Sequence, residues 1–284
     1  MSHVSVATSD GDQLFQRLAQ VIKPRGRMII AYSGGVDSTL VAAVARRVLG
    51  REHALVAIGD SASLPRHELD EARSLADELD LELIEVRPGE QDDPDYQANA
   101  GNRCYFCKIH LYETLSKVAV DRGVRFIANG TNVDDLGDHR PGLKAADEHE
   151  VISPLKEAGF TKSDVRILAK HLNLRNADKP ASACLASRIP FGIRVTPERL
   201  LRVERAETAL RELGFIGFRV RDHDLVARIE LPLEQISRVL EGKVRESIVN
   251  NLRAVGYNFV ALDLAGFHSG SGNVLLDQGD ASTR

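Results

Sequence analysis

The chain has 284 residues, 43% of them hydrophobic and 27% charged, enough to bury a sizeable core and, at roughly 150 residues per domain, to form two domains. Its 37 basic and 41 acidic side chains give a formal net charge of -4, which excludes the global basic excess of a protein held on phosphodiester backbones but not a local basic pocket. No apolar run approaches the roughly 20 residues of a membrane span, and the start, MSHVSVATSDGDQLFQ, has neither a basic n-region nor an apolar h-region, so a cytoplasmic protein with no membrane partner is expected.

A short helix over Gln13 to Ile22 precedes RMIIAY, Arg27 to Tyr32, a compact apolar run of the kind a buried parallel strand makes. Similar runs follow at 54–59, 81–86 and 124–129, separated by helical stretches over 38–49, 65–79 and 105–120. Strands alternating with helices predict an α/β fold: a doubly wound, mostly parallel sheet covered on both faces. Val151 to Leu155 is a weaker strand candidate, and a helix starts near Thr161, where Thr161 and Asp164 have capping-box spacing. From Asn173 to Thr196 the helical pattern fails, Pro180, Pro190 and Pro197 punctuate the chain, and Cys184 sits in the middle, as in a functional loop and domain boundary. Beyond it a small α+β domain is predicted: helix 197–213, strands 218–222 and 225–231, helix 233–255 and strand 258–264. The expected domains are thus 1–195 and 196–267, with a flexible Gly- and Ser-rich tail over 268–284.

SGGVDS, Ser33 to Ser38, follows the first predicted strand and opens a predicted helix, so backbone N–H groups and hydroxyls can converge on an anion at the positive helix end. Gly34 and Gly35 permit the dihedrals and close approach of such a turn. The loop lacks the lysine of GxxxxGK[ST] and is not GxGxxG, so γ-phosphoryl and hydride transfer lose support. A Gly-rich turn without a ligand is the plain alternative. In an open α/β sheet, loops after other strands share the ligand site. GTNVDDLGDHRPG, which includes Thr131, follows the fourth strand, and its Asp134, Asp135 and Asp138 can help hold the Mg²⁺ that accompanies ATP, unless they are solvated loop carboxylates. Asp60 is a similar case.

Three cysteines make no disulfide framework. Cys104 and Cys107 form a CxxC that suits a redox pair, half a zinc site with His110 or His139 as a further ligand, part of an iron–sulfur site, or two buried inert thiols. Three thiolates on a [4Fe-4S] cluster would leave one iron open, which suits chemistry. Cys184 lies among Lys179, Ser182, Ser187 and Arg188, and nearby cations favour a reactive thiolate. Arg219 and Arg221 share one face of a strand by period two and offer donor forks to an anionic substrate, with Glu230 ending the next strand; a solvated sheet face is the alternative.

SGGVDS resembles the signature of PP-loop ATP pyrophosphatases. Together with SLPRHELDEA, NRCYFCK, GTNVDDLGDHRPG, CLASRIP and RVRDHDLVARIE, it makes nearly the whole chain similar to the LarE family of ATP-dependent sulfur transferases, which make the nickel-pincer nucleotide cofactor of lactate racemase. The resemblance implies an adenine nucleotide alpha hydrolase-like fold, Mg²⁺ and ATP, and sulfuration of pyridinium-3,5-biscarboxylic acid mononucleotide through an acyl-adenylate. It implies ATP binding at Ser33, Gly34, Gly35, Asp37, Ser38, Thr131 and Asp135, catalytic roles for Asp37, Cys184 and Arg188, and substrate binding at Arg219, Arg221 and Glu230. Members with three cysteines are thought to hold a [4Fe-4S] cluster, here on Cys104, Cys107 and Cys184; members with only the counterpart of Cys184 sacrifice that sulfur. Family precedent adds a homo-oligomer, built as a hexamer, with other cofactor-biosynthesis proteins as partners. A tRNA thiolase is a rival that the acidic balance disfavours. A non-catalytic nucleotide- or metal-binding regulator is another, and amidotransfer lacks a glutaminase domain.

Overall fold

A computed structural model describes residues 9–137 and 141–268. Asp138 and His139, and the tail beyond residue 268, lie outside the described residues. In chain order the elements are α1 (Asp10–Ile22), β1 (Met28–Ala31), α2 (Val36–Leu49), β2 (Ala54–Gly59), α3 (Arg66–Glu78), β3 (Glu82–Val86), α4 (Pro94–Gln97), α5 (Arg103–Asp121), β4 (Phe126–Ala128), α6 (Pro141–Glu148), α7 (Pro154–Glu157) and α8 (Lys162–His171). They are followed by α9 (Pro197–Glu212), β5 (Arg219–His223), β6 (Val226–Glu230), α10 (Ile236–Val239), α11 (Gly242–Ala254) and β7 (Phe259–Leu262). Among the described residues no helix is long and apolar enough to cross a membrane.

The chain divides into two units, one of residues 1–61, 66–90 and 104–182, the other of residues 62–65, 91–103 and 183–284. In the first, four strands form a parallel sheet in the order β3-β2-β1-β4. Ile29 and Ile30 of β1 and Leu55 and Val56 of β2 are fully buried, as continuous apolar runs in a sheet covered on both faces should be. Ile29, Leu55, Tyr112 and Leu115 belong to one core cluster with Ala145 and Val151. The strand order reverses between β1 and β4, so a crevice opens at their carboxyl ends. The weak strand candidate at 151–155 contributes only one bridge, Ile152 to Ala128, because Pro154 turns the chain into α7.

The second unit holds a separate sheet, β5-β6-β7, with β5 and β6 antiparallel and β6 and β7 parallel. Phe215, Val220, Ile229, Leu252 and Tyr257 form its core with α9 and α11. The single helix expected over 233–255 is broken: a 3-10 turn at Leu233–Gln235 leads into α10, and α11 restarts at Gly242 from an extended Glu241. Glycine inside a helix costs about 1 kcal/mol, which favours a break there. Residues 183–195, assigned to the first domain by the sequence pattern, go with this unit. Buried Asn99 holds them there, its amide donating to the carbonyls of Ile189, Pro190 and Ile193 at 3.3, 2.8 and 2.9 Å, while Leu185 N donates to Ser63 O at 2.8 Å.

Candidate functional site

The loop between β1 and α2 is built by its own side chains. Ser33 N donates to Ser38 Oγ at 3.2 Å, the two hydroxyls are 3.1 Å apart, and Gly35 N donates to Ser33 Oγ at 3.3 Å. Gly34 has φ +70°, and a Cβ there would meet Ala72 at 2.9 Å, so glycine is required twice over. α2 starts from Gly35 without a side-chain cap, leaving first-turn N–H groups for an anion. The loop after β4 comes close: a Cβ on Gly130 would sit 2.7 Å from Ser38 N. Sequence reading brought Thr131 and Asp135 to this place, and the first unit does bring their loop against Asp37 and Ser38.

Asp37 accepts from Asn132 Nδ2 at 3.1 Å and is ion-paired with the Lys162 ammonium. Asp135 Oδ2 accepts from Asn132 N at 3.0 Å, and Asp134 Oδ2 accepts from Lys162 N at 2.7 Å. These carboxylates therefore shape the loop as well as offering hard oxygens that suit Mg²⁺. Asn176, buried at 2% exposure, donates to Gly34 O at 2.9 Å and to Thr39 Oγ1 at 3.0 Å. Asp60 is engaged instead by Arg66 at 2.5 Å. Lys179, expected as a cation for Cys184, gives its ammonium to Glu68 and Glu71 at 2.6 and 2.8 Å.

Cys104 and Cys107 lie at i and i+3 on α5, where side chains share a face. Cys104 is exposed, Cys107 and Cys184 are partly so, and none of the three is tied up in a disulfide, as ligation of a soft metal ion would require. Among the described residues no three His, Cys, Asp or Glu side chains gather into a metal-holding group.

In the second unit Cys184 opens a 3-10 turn, Leu185–Arg188. Arg188, expected as catalytic, is buried and fully occupied: it pairs with Glu207 at 2.9 and 3.1 Å and donates to Ala183 O, Cys184 O and Ser187 Oγ at 2.7, 3.0 and 3.0 Å. Arg221 forms a two-pronged pair with fully buried Glu230 at 3.0 and 2.8 Å and donates to Ser187 O at 2.8 Å. Arg228, directly across from Arg221, reaches the same carboxylate at 3.1 Å. Arg219 differs. Its guanidinium donates to the carbonyl of Phe218 at 2.7 Å and stacks on the Phe267 ring at 4.9 Å, with no carboxylate partner among the described residues. Burial, with Arg188 and Arg221 beside it, pushes its pKa down to about 10.

The NAD synthase family pattern matches residues 12–93. An uncharacterised protein of Synechocystis sp. is 43% identical over 92% of this chain and 97% of its own length. The pyridinium-3,5-bisthiocarboxylic acid mononucleotide synthase of Lactiplantibacillus plantarum is 37% identical over 94% of this chain and 96% of its own length. The chain belongs to the LarE family. An uncharacterised protein of Methanocaldococcus jannaschii is 29% identical over 86% of this chain and 91% of its length. As a LarE-family protein with a PP-loop, the chain is an ATP-dependent enzyme, and its four-stranded parallel sheet with a separate small sheet is the α/β architecture expected of it.

Sequence reasoning passed over Lys162, Asn132, Asn176 and Glu207. The capping box at Thr161 and Asp164 placed Lys162 at the first position of α8, but no local pattern pointed its side chain at Asp37. Glu207 left one signal, an acidic residue on the apolar face of α9 beside Val203, Ala206 and Leu210, all buried.

Proposed function

We propose that this enzyme adenylates a carboxylate of pyridinium-3,5-biscarboxylic acid mononucleotide and replaces the AMP with sulfur. The observation that carries this reading is the near full-length likeness to a synthase of the corresponding bisthiocarboxylic acid, joined to an anion-ready loop of PP-loop sequence. A carboxylate is a poor electrophile because oxide would have to leave. Its oxygen therefore attacks the α-phosphorus of ATP, the bond to the β-phosphate oxygen breaks, and pyrophosphate departs. Sulfur then attacks the carbonyl carbon and AMP leaves with the bonding pair. Uncapped N–H groups of α2, the Ser33 and Ser38 hydroxyls and Lys162 stabilise the charge that develops on the phosphates, while Asp37 and Asp135 offer oxygens to Mg²⁺. Arg219, a cation with no carboxylate hydrogen-bonded to it among the described residues, takes an anionic group of the mononucleotide, and Arg221, kept in place by Glu230, supports it.

We assign Cys104, Cys107 and Cys184 as the thiolates that would hold a [4Fe-4S] cluster, which supplies a replaceable sulfide when bound. The second reading has Cys184 as the donor. Its thiolate displaces AMP, a Cα proton is removed, the Cβ–S bond breaks toward the thiocarboxylate, and dehydroalanine remains. The free, partly exposed thiol of Cys184 is what favours keeping it.

Protein prepared without oxygen, given ATP, Mg²⁺ and the authentic mononucleotide, is expected to release pyrophosphate, and absence of substrate-dependent release overturns the proposal. Iron and acid-labile sulfide, lost in a Cys104→Ser/Cys107→Ser variant, with unchanged mass after turnover, establish the cluster route. No iron, with loss of the mass of H₂S at Cys184, establishes the sacrificial one.

A further inference from the structure

The turn that carries Cys184 is held by Arg103 Nη1 on Ala186 O at 2.9 Å, by Leu185 N on Ser63 O at 2.8 Å and, at the cysteine itself, through one buried carboxylate. Glu207 projects from α9 and receives Arg188 through two nitrogens, at 2.9 and 3.1 Å, with side-chain exposures of 3% for Arg188 and 4% for Glu207. All three acceptors of Arg188 Nη1 belong to the Cys184 turn: the carbonyls on either side of the Cys184 Cα and the Ser187 hydroxyl, which itself donates to Cys184 O at 2.7 Å. The backbone at the cysteine is thus pinned from behind, leaving χ1 as the main freedom of its sulfur. Glu207 Oε1 also accepts from Val220 N at 3.0 Å, between Arg219 and Arg221 on β5, and Arg221 donates to Ser187 O. One carboxylate therefore ties the thiol-bearing turn to the strand that presents Arg219.

We propose that Glu207 is a positioning residue for Cys184, acting through Arg188 to hold the sulfur in register with the anion-binding arginines. Replacing a buried ion pair by apolar side chains of similar volume is often neutral for stability, so burial alone gives no reason for this pair to sit here. Its acceptors do give one, because every hydrogen bond that Arg188 Nη1 makes goes to the cysteine turn. The role does not require Glu207 or Arg188 to touch the substrate. It rests on the reading above that the Cys184 thiol takes part in sulfur transfer.

The test compares wild type with Glu207→Gln and with Arg188→Met/Glu207→Met, in which no unpaired charge is left in the core. The double variant is expected to fold and, at saturating mononucleotide, to form about 10²-fold less thiocarboxylate per pyrophosphate released, the scale of a 1 Å misplacement. A second readout is the rate of iodoacetamide alkylation at Cys184 in a Cys104→Ser/Cys107→Ser background, which is expected to change with the double substitution. Wild-type coupling of sulfur to pyrophosphate in the folded double variant overturns the proposal. If Cys184→Ala still transfers sulfur, the functional reading of Cys184 fails by itself, and the alkylation rate decides the positioning role: an unchanged rate overturns it.

Discussion

Lys162 and Asp37 form an ion pair across 125 residues of sequence, joining the first turn of α8 to the phosphate loop after β1. Lys162 also anchors its own backbone N–H on Asp134, so the ammonium is aimed by two independent contacts. A partly exposed pair of this kind adds little to stability. On the proposed reaction, its value is a cation already in place where pyrophosphate charge would develop.

Lys162→Ala is therefore expected to lower kcat/KM for pyrophosphate release about 10²-fold, the scale of losing one preorganised donor, with little change in Tm. Asp37→Asn and Ser38→Ala should weaken the same step. Steady-state pyrophosphate release over a range of ATP concentrations decides this, and unchanged values for Lys162→Ala would place the phosphates elsewhere.

Asn176 holds the loop from below. Removing its amide in Asn176→Ala strips a buried donor from Gly34 O and Thr39 Oγ1 and should cost about 1–3 kcal/mol, seen as a lower Tm. KM for ATP should rise as well, since the Gly34 peptide loses its tether. Asn176→Asp should do worse, because a carboxylate oxygen would then face the Gly34 carbonyl. A Tm at the wild-type value in both variants refutes the assignment.

What the sequence made legible follows from range. β1 and β2 read directly because a buried parallel strand is apolar along its whole length, and SGGVDS read directly because its chemistry is contiguous. Lys162, Asn176 and Glu207 did not, because each acts on a partner distant in the chain, and polar residues in a loop or helix look alike until the fold closes. Arg188 shows the same limit of range from the other side. Its place four residues from Cys184 suggested catalysis, but its partner lies 19 residues away on α9 and turns it inward. The break before α11 was similarly hidden in a periodic run, where Gly242 was the only mark.

Arg219 sits in an environment that disfavours its own charge. Because its pKa is depressed, the ligand-free protein carries the cost of this half-buried cation at every pH below about 10, and the cost fades as pH rises from there toward the ordinary guanidinium value. An anion bound beside it removes the penalty. Arg219→Gln should accordingly raise Tm in the absence of ligand while weakening binding of the mononucleotide at least about tenfold, the loss of one charge-assisted contact. Thermal denaturation paired with calorimetric titration tests both halves, and a variant that binds as wild type does would remove Arg219 from the substrate site.

His223 ends β5 and accepts a hydrogen bond at Nε2 from Arg228 Nε at 3.1 Å, which requires the neutral ring. Burial and then the Arg228 charge lower its pKa. The unfolded chain thus binds this proton at a higher pH than the folded one, so the contribution is present above about pH 6.5 and is lost as pH falls through the folded value. His223→Gln keeps an acceptor and removes the titration. Its Tm should fall less steeply than that of wild type between about pH 7 and pH 5, and parallel slopes would show that the ring does not sense Arg228. The point bears on Arg219 and Arg221 as well: protonating His223 frees Arg228, which also reaches Glu230, to compete more strongly for the carboxylate that steadies Arg221. Substrate affinity should therefore weaken over the same acid range in wild type and not in His223→Gln.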